Sequence, residues 1–277
     1  MFETTRTVVL LGILTGLFLA VGYYLGGSAG LTTGLVFSLV MNIVAYWYSD
    51  KIVLRMYNAK EIAKNQNPTL HRIVDEISRD AQIPKPKLYS VNTDAPNAFA
   101  TGRDPKHGSL AITTGLEKIL DEDEIKGVLA HEIAHIKNRD TLISTIAATF
   151  AGALAFVAQM AYYGALFGNN RENKNPVGMI LMIIFVPLAA TIIRLAISRG
   201  REFAADRTGA TLIRDADGLA SALGKISNAS ERVRLKGNPA TSHMFIINPF
   251  KGDALINLLS THPSTEARIS ALKAMKF

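Results

Sequence analysis

The chain has 277 residues, 48% of them hydrophobic and only 19% charged, a formal net charge of +7 and no cysteine. Without cysteine there is no disulfide, no thiolate nucleophile and no Cys-based zinc site, so any metal must be held by histidine and carboxylate. The charged fraction is low for a soluble protein, and the basic balance points to a membrane-facing surface. A nucleic-acid partner is the weaker reading of that charge, because no recognition motif accompanies it.

Charge is absent from three long runs: Thr7 to Ser49, Thr141 to Asn170, and Asn175 to Ile193. Each is long enough to cross a hydrocarbon core as a helix. The first is about twice one span, and Gly26-Gly27-Ser28-Ala29-Gly30 near its middle is a turn signal. It reads as two helices, roughly 7–25 and 31–48, with Tyr23, Tyr24, Tyr46, Trp47 and Tyr48 near the ends where interfacial aromatics belong. The later runs, separated by Arg171-Glu172-Asn173-Lys174, predict a second hairpin, roughly 142–167 and 177–195. A buried core hairpin is the competing reading of this second pair. Four spans place both termini on one side. Lys51, Arg55, Lys60 and Lys64 follow the second span, Lys126, Lys137 and Arg139 precede the third, and Arg194, Arg199 and Arg201 follow the fourth. The positive-inside bias then puts the polar regions in the cytoplasm.

Four segments follow: a membrane hairpin over 1–50, a first cytoplasmic part over 51–140, the second hairpin over 141–197, and a second cytoplasmic part over 198–277. From Ser49 to Asp80 the pattern is helical, with Pro68 opening a new segment in which Leu70, Ile73, Val74 and Ile77 share a face. Short strands follow at 87–91, 97–101 and 109–113, separated by turns carrying Pro96, Gly102, Pro105 and Gly108. They predict a small antiparallel sheet. Helix resumes at Thr114, and the acidic run Asp121 to Glu124 suits the start of another helix. That helix is expected to run on towards the third span, so its site lies close to the membrane surface.

This last helix carries His131-Glu132-Ile133-Ala134-His135. Positions i and i+4 of an α-helix lie about 40° apart, so both imidazoles project from one face and can bind one Zn²⁺. Glu132, beside them, is placed to act as general base towards a water at the metal. The third ligand must come from another element. In Ser198-Arg199-Gly200-Arg201-Glu202-Phe203-Ala204-Ala205-Asp206, Glu202 and Asp206 share a helical face. Taken alone, that face also reads as a solvated one paired with Arg199, Arg201 and Arg207. The HExxH motif favours Glu202 as ligand and Asp206 as acceptor of a ligand histidine's N–H.

At this point HEIAHIKNRD, a membrane hairpin and SRGREFAAD together resemble the HtpX-type membrane-bound zinc metallopeptidases, gluzincins related to the CAAX prenyl proteases. The resemblance covers essentially the whole chain, including PNAFATG at 96–102 and THPSTEARI at 261–269. It implies a mainly α fold with a small sheet and a zincin-like catalytic domain. It implies one Zn²⁺ per chain on His131, His135 and Glu202, with Glu132 as the base. It also implies unfolded or membrane-protein substrates, cytoplasmic-side chemistry at the inner membrane, and a role in quality control under stress. Asn97, Ala98 and Phe99, on an edge strand, are candidate substrate contacts by strand addition. His262 and Arg268 are candidates near the reacting carbonyl, where either would stabilise an oxyanion. Asp140, His71, His107 and His243 are given no chemistry. Two other readings stay open: an intramembrane protease, and a non-enzymatic scaffold or holdase with structural zinc.

Overall fold

The computed structural model describes residues 2–150, 199–230, 233, 245–247 and 263–277. The second hairpin lies almost wholly outside these residues, as do His243 and His262.

Helix α1 runs Phe2–Met56 and is two helices across a kink, with Gly26 at φ −148° and Gly27 at φ 57°. Only glycine adopts the second value freely, so the turn signal is a true reversal. The two arms lie back to back. A Cβ on Gly34 would sit 2.4 Å from the carbonyl oxygen of Phe18, and one on Gly22 would sit 2.3 Å from that of Gly30. Small residues at such crossings let helix backbones approach closely in lipid. Asn42 Nδ2 donates to Thr15 Oγ1 at 2.9 Å, and the rings of Phe18 and Phe37 meet edge-on at 5.0 Å. Among the described residues one helix, Gly26–Met56, is long and apolar enough to cross a membrane. Val36, Phe37, Leu39, Val40 and Ile43 are all more than half exposed on it, an apolar outer surface that water would not tolerate and lipid would.

The chain then departs from the predicted helix. Asn58 takes a left-handed conformation with φ 49°, which asparagine accepts more readily than most residues. A two-residue strand β1 (Lys60–Glu61) follows, and helix restarts as α2 (Pro68–Ala81), capped by Asn67 with Pro68 in its first turn. Strands β2 (Lys87–Val91), β3 (Ala98–Thr101) and β4 (Ser109–Thr113) form a sheet in the order β1-β2-β4-β3. The predicted antiparallel sheet is in fact mixed: β2 pairs with β4 in parallel, the other pairs being antiparallel. The reason is topological. The chain leaves β2, skips one strand position to lay down β3, and turns back through 102–108, so β4 fills the gap in the direction of β2. This leaves β3 as an edge strand.

Helix α3 (Thr114–Ile119) leads to α4 (Glu122–Asn138), which opens with a full capping box between Asp121 and Glu124. Helix α4 packs against α2, β3, α5 (Arg199–Ile213) and α6 (Asp217–Ser230). The C-terminal α7 (Thr265–Lys273) covers α5 and α6. Two glycines bring helices against α4. A Cβ on Gly127 would fall 2.6 Å from the backbone nitrogen of Leu219, and one on Gly209 would fall 2.8 Å from the backbone of Ala130 and His131. Gly209 therefore sets the separation of α4 and α5 at the level of the first histidine. Gly209→Ala is expected to destabilise the fold by about 1–3 kcal/mol, the usual cost of overpacking. It should also lower metal content, which thermal melts and metal analysis on the same sample would show together.

Helix α4 does not run on uninterrupted. Arg139 takes a left-handed conformation (φ 62°), and its N–H closes the helix onto His135 and Ile136 carbonyls. Helix resumes over residues 140–150.

Candidate metal centre

His131 and His135 lie one turn apart on α4, and their Nε2 atoms converge to 3.2 Å. Glu202 comes from α5, held close by Gly209. Its Oε2 is 3.7 Å from His131 Nε2, and its Oε1 is 3.6 Å from His135 Nε2. Ligands placed tetrahedrally at about 2.0–2.1 Å from one zinc stand roughly 3.3 Å from each other. The three groups therefore fit a single Zn²⁺ closely, and they are the one such metal-capable group among the described residues.

What stands behind the ligands makes the fit stronger. His131 Nδ1 is 2.8 Å from Asp206 Oδ1, and His135 Nδ1 is 3.1 Å from Asp140 Oδ2. Each carboxylate is placed to accept a hydrogen bond from Nδ1–H, the arrangement in which Nε2 is the nitrogen offered to a metal. Asp206 lies on the face of α5 that it shares with Glu202, within hydrogen-bonding distance of His131. Asp140 was missed. It sits just past the α4 cap, where the left-handed Arg139 turns the chain back, so helical phase carries no signal for it. Asp140→Ala is expected to weaken zinc affinity about 10–100-fold while the fold survives; competition with a zinc-sensitive dye measures this directly.

Arg268 is nearly fully buried. Its Nε and Nη2 grip both oxygens of Asp206 at 2.8 and 2.6 Å, and its Nη1 donates to the carbonyl of Ile246 at 2.9 Å. Nη1 also stands 3.5 Å from Glu202 Oε2. This planar two-point grip is the strong form of an arginine–carboxylate pair. The arginine positions the site from behind rather than reaching into the cleft. Burial acts to raise the Asp206 carboxyl, but the Arg268 guanidinium and His131 outweigh it and hold it at about 2. Glu132 is also buried, and burial raises its carboxyl, the two histidines pulling partly the other way. For His135, burial acts to lower the imidazole, but Asp140, Glu202 and Glu132 raise it to about 9.

The centre opens into a cleft lined also by Ala100, Thr141, Ser144, Phe245 and Ile246. The side chains named for substrate contact are all turned inward. Asn97 is buried and its Nδ2 donates to the carbonyl of Ile247 at 3.0 Å. Phe99 is buried in an aromatic trio with Tyr57 and Phe245. Ala98 is buried, and its carbonyl accepts from Ile246 N–H at 3.4 Å. The edge itself is what remains. Thr113 N–H donates to the Asn97 carbonyl, so strand alternation turns the backbone groups of Ala98 and Ala100 outward. Ala98 has its partner, and Ala100 faces the cleft. Nothing in the sequence singled out Ala100 within its strand. His71 bonds the Ile62 carbonyl at 3.0 Å, and His107 is exposed, both away from the centre.

A model of peptidase family M48 matches residues 64–276. A protease HtpX homolog of Persephonella marina is 50% identical over 99% of this chain and 97% of its own length. One from Aquifex aeolicus is 52% identical over 93% and 88%, and one from Pyrococcus furiosus 51% identical over 97% and 94%. Among solved structures, the crystal structure of S. mikatae Ste24p matches with a TM-score of 0.51 and 18% identity, over 98% of this chain. The chain spans 65% of that protein, and at this identity the likeness concerns the fold.

Proposed function

Because the chain belongs to peptidase family M48, as one of its HtpX-type membrane zinc metallopeptidases, we propose that it is an endopeptidase acting at the cytoplasmic face of the inner membrane. Its substrates in this reading are misfolded or damaged membrane proteins, and its cellular role is quality control under stress. The observation that carries the reading is the convergence of His131, His135 and Glu202 on one point, with Glu132 on the wall of the same cleft.

His131, His135 and Glu202 would hold the zinc, which when bound supplies Lewis acidity to a water and to the scissile carbonyl. Asp206 and Asp140 hold the two imidazoles with Nε2 free for this purpose. The Glu132 carboxylate takes the proton of the attacking water and passes it to the leaving amine nitrogen. Ala100, with outward N–H and C=O, pairs with the substrate backbone as an added strand, a contact that does not depend on substrate side chains. His262 is proposed as the donor to the oxyanion; it precedes Pro263 and α7, outside the described residues. The cytoplasmic orientation rests on the lysines and arginines that flank the spans.

Reconstitution with a multispanning substrate tests the reading. Cuts mapped by mass spectrometry should fall in loops beside the spans. Cuts inside the spans would replace this reading with intramembrane proteolysis.

A further inference from the structure

The end of the uncharged run and the β3–β4 loop meet at Trp47 and Arg103. Trp47 is 50% exposed on α1, three residues before Asp50, the first charged side chain after the span. The guanidinium of Arg103, on the β3–β4 loop, lies 4.4 Å over the Trp47 ring. On α1, Trp47, Lys51 and Arg55 recur at every fourth residue and so share one face, Lys51 and Arg55 both exposed. Each step is about 6 Å along the helix, close to the depth of one headgroup layer. With α1 across a bilayer, Trp47 would stand at the hydrocarbon edge, Lys51 among the headgroups and Arg55 at their outer limit.

The loop is built to hold its cations there. Asp104 accepts from the N–H groups of Lys106 and His107, and His107 Nδ1 lies 2.8 Å from its Oδ1. His107 Nε2 is 2.7 Å from Arg103 Nη2, so the guanidinium is oriented from both sides. Arg103 Nε lies 3.5 Å from Asp104 Oδ2, its two Nη groups extend beyond that pair, and Lys106 is exposed. Asp104 is thus engaged, and Asp50, next to Lys51, is half-buried.

We propose that Arg103 and Lys106 on the β3–β4 loop, with Lys51 on α1, form a binding site for the phosphate of anionic phospholipid headgroups beside Trp47. The inference rests on the reading that α1 spans the bilayer. Its consequence is mechanical. Gly102, next to Arg103, accepts a hydrogen bond from Thr141 Oγ1 at 2.9 Å, and Thr141 and Ala100 both line the catalytic cleft. A headgroup held by the loop fixes the height of the edge strand and of the metal centre above the bilayer.

Trp47 is the sole tryptophan, so its fluorescence reports on this place alone. The full chain is reconstituted in phosphatidylcholine nanodiscs with a small fraction of chain-spin-labelled phosphatidylglycerol or chain-spin-labelled phosphatidylcholine. The anionic label should quench Trp47 more strongly. Arg103→Gln and Lys106→Gln should each lower that preference, by up to about fivefold per cation, while Arg79→Gln on the exposed end of α2 leaves it intact. Comparing the two lipids within each variant removes the direct effect of Arg103 on the ring. Equal quenching by both lipids would leave the span standing and overturn the headgroup site. A preference erased by excess inorganic phosphate at constant ionic strength would do so too. Quenching by neither would take Trp47 out of the bilayer and overturn the spanning reading itself.

Discussion

Glu132→Gln is expected to retain its zinc and to lose about 10²–10⁴-fold in peptide cleavage, the usual contribution of a positioned general base. The amide has the shape of the carboxylate, so the buried wall of α4 is not repacked. It cannot accept the proton of the attacking water. The three ligand atoms that converge within 4.8 Å of one another belong to His131, His135 and Glu202, and Glu132 is not among them, so metal content should be unchanged. His135→Ala and Glu202→Ala differ in kind, since each removes a ligand and should lose zinc and cleavage together. The measurement is cleavage of an unfolded membrane protein by detergent-purified chains, with zinc determined on each. Near-normal cleavage by Glu132→Gln at unchanged zinc would sink the assignment of the base. Zinc in both with cleavage by neither would favour a zinc-stabilised scaffold, which has no use for Glu132.

Features set within one helix were legible in the sequence. The helical period alone put His131 and His135 on one face and Asp206 on the face of Glu202, and the acidic run did cap α4. Features that depend on how separate segments meet were not. The strands were found, but their order was not, because nothing local says that β4 enters between β2 and β3. β1 is two residues long, too short for any period, and was absorbed into a helix. Asp140 is close to His135 in sequence, yet it reaches the imidazole through one left-handed residue, Arg139, which no pattern of residue types announces. The sequence carries no information on the direction of Arg268, which points behind the site rather than into the cleft. Its partners lie on α5 and at Ile246.

Arg268→Met should destabilise the fold by about 3–5 kcal/mol, since it strands the Asp206 carboxylate in a buried site without its cation. Both residues are at most 2% exposed, so water cannot take the place of the guanidinium. The loss should extend to metal binding, because Asp206 then has only His131 to hold and the carbonyl of Ile246 loses its donor. Adding Asp206→Asn removes the stranded charge, and the double variant should regain part of the stability without regaining full zinc affinity. The same pair predicts a pH effect in the metal-free chain. Asp206 is held at about 2 against an ordinary 3.8. A depressed carboxyl contributes stability that is complete above its unfolded value and is lost as pH falls through its folded value. Wild type should therefore weaken between about pH 4 and pH 2, and the double variant should lack this component. Denaturant melts across that range would test it. An oxyanion role would give another pattern: Arg268→Met would lower kcat with stability, zinc affinity and acid sensitivity unchanged, and the buried two-point grip on Asp206 argues against it.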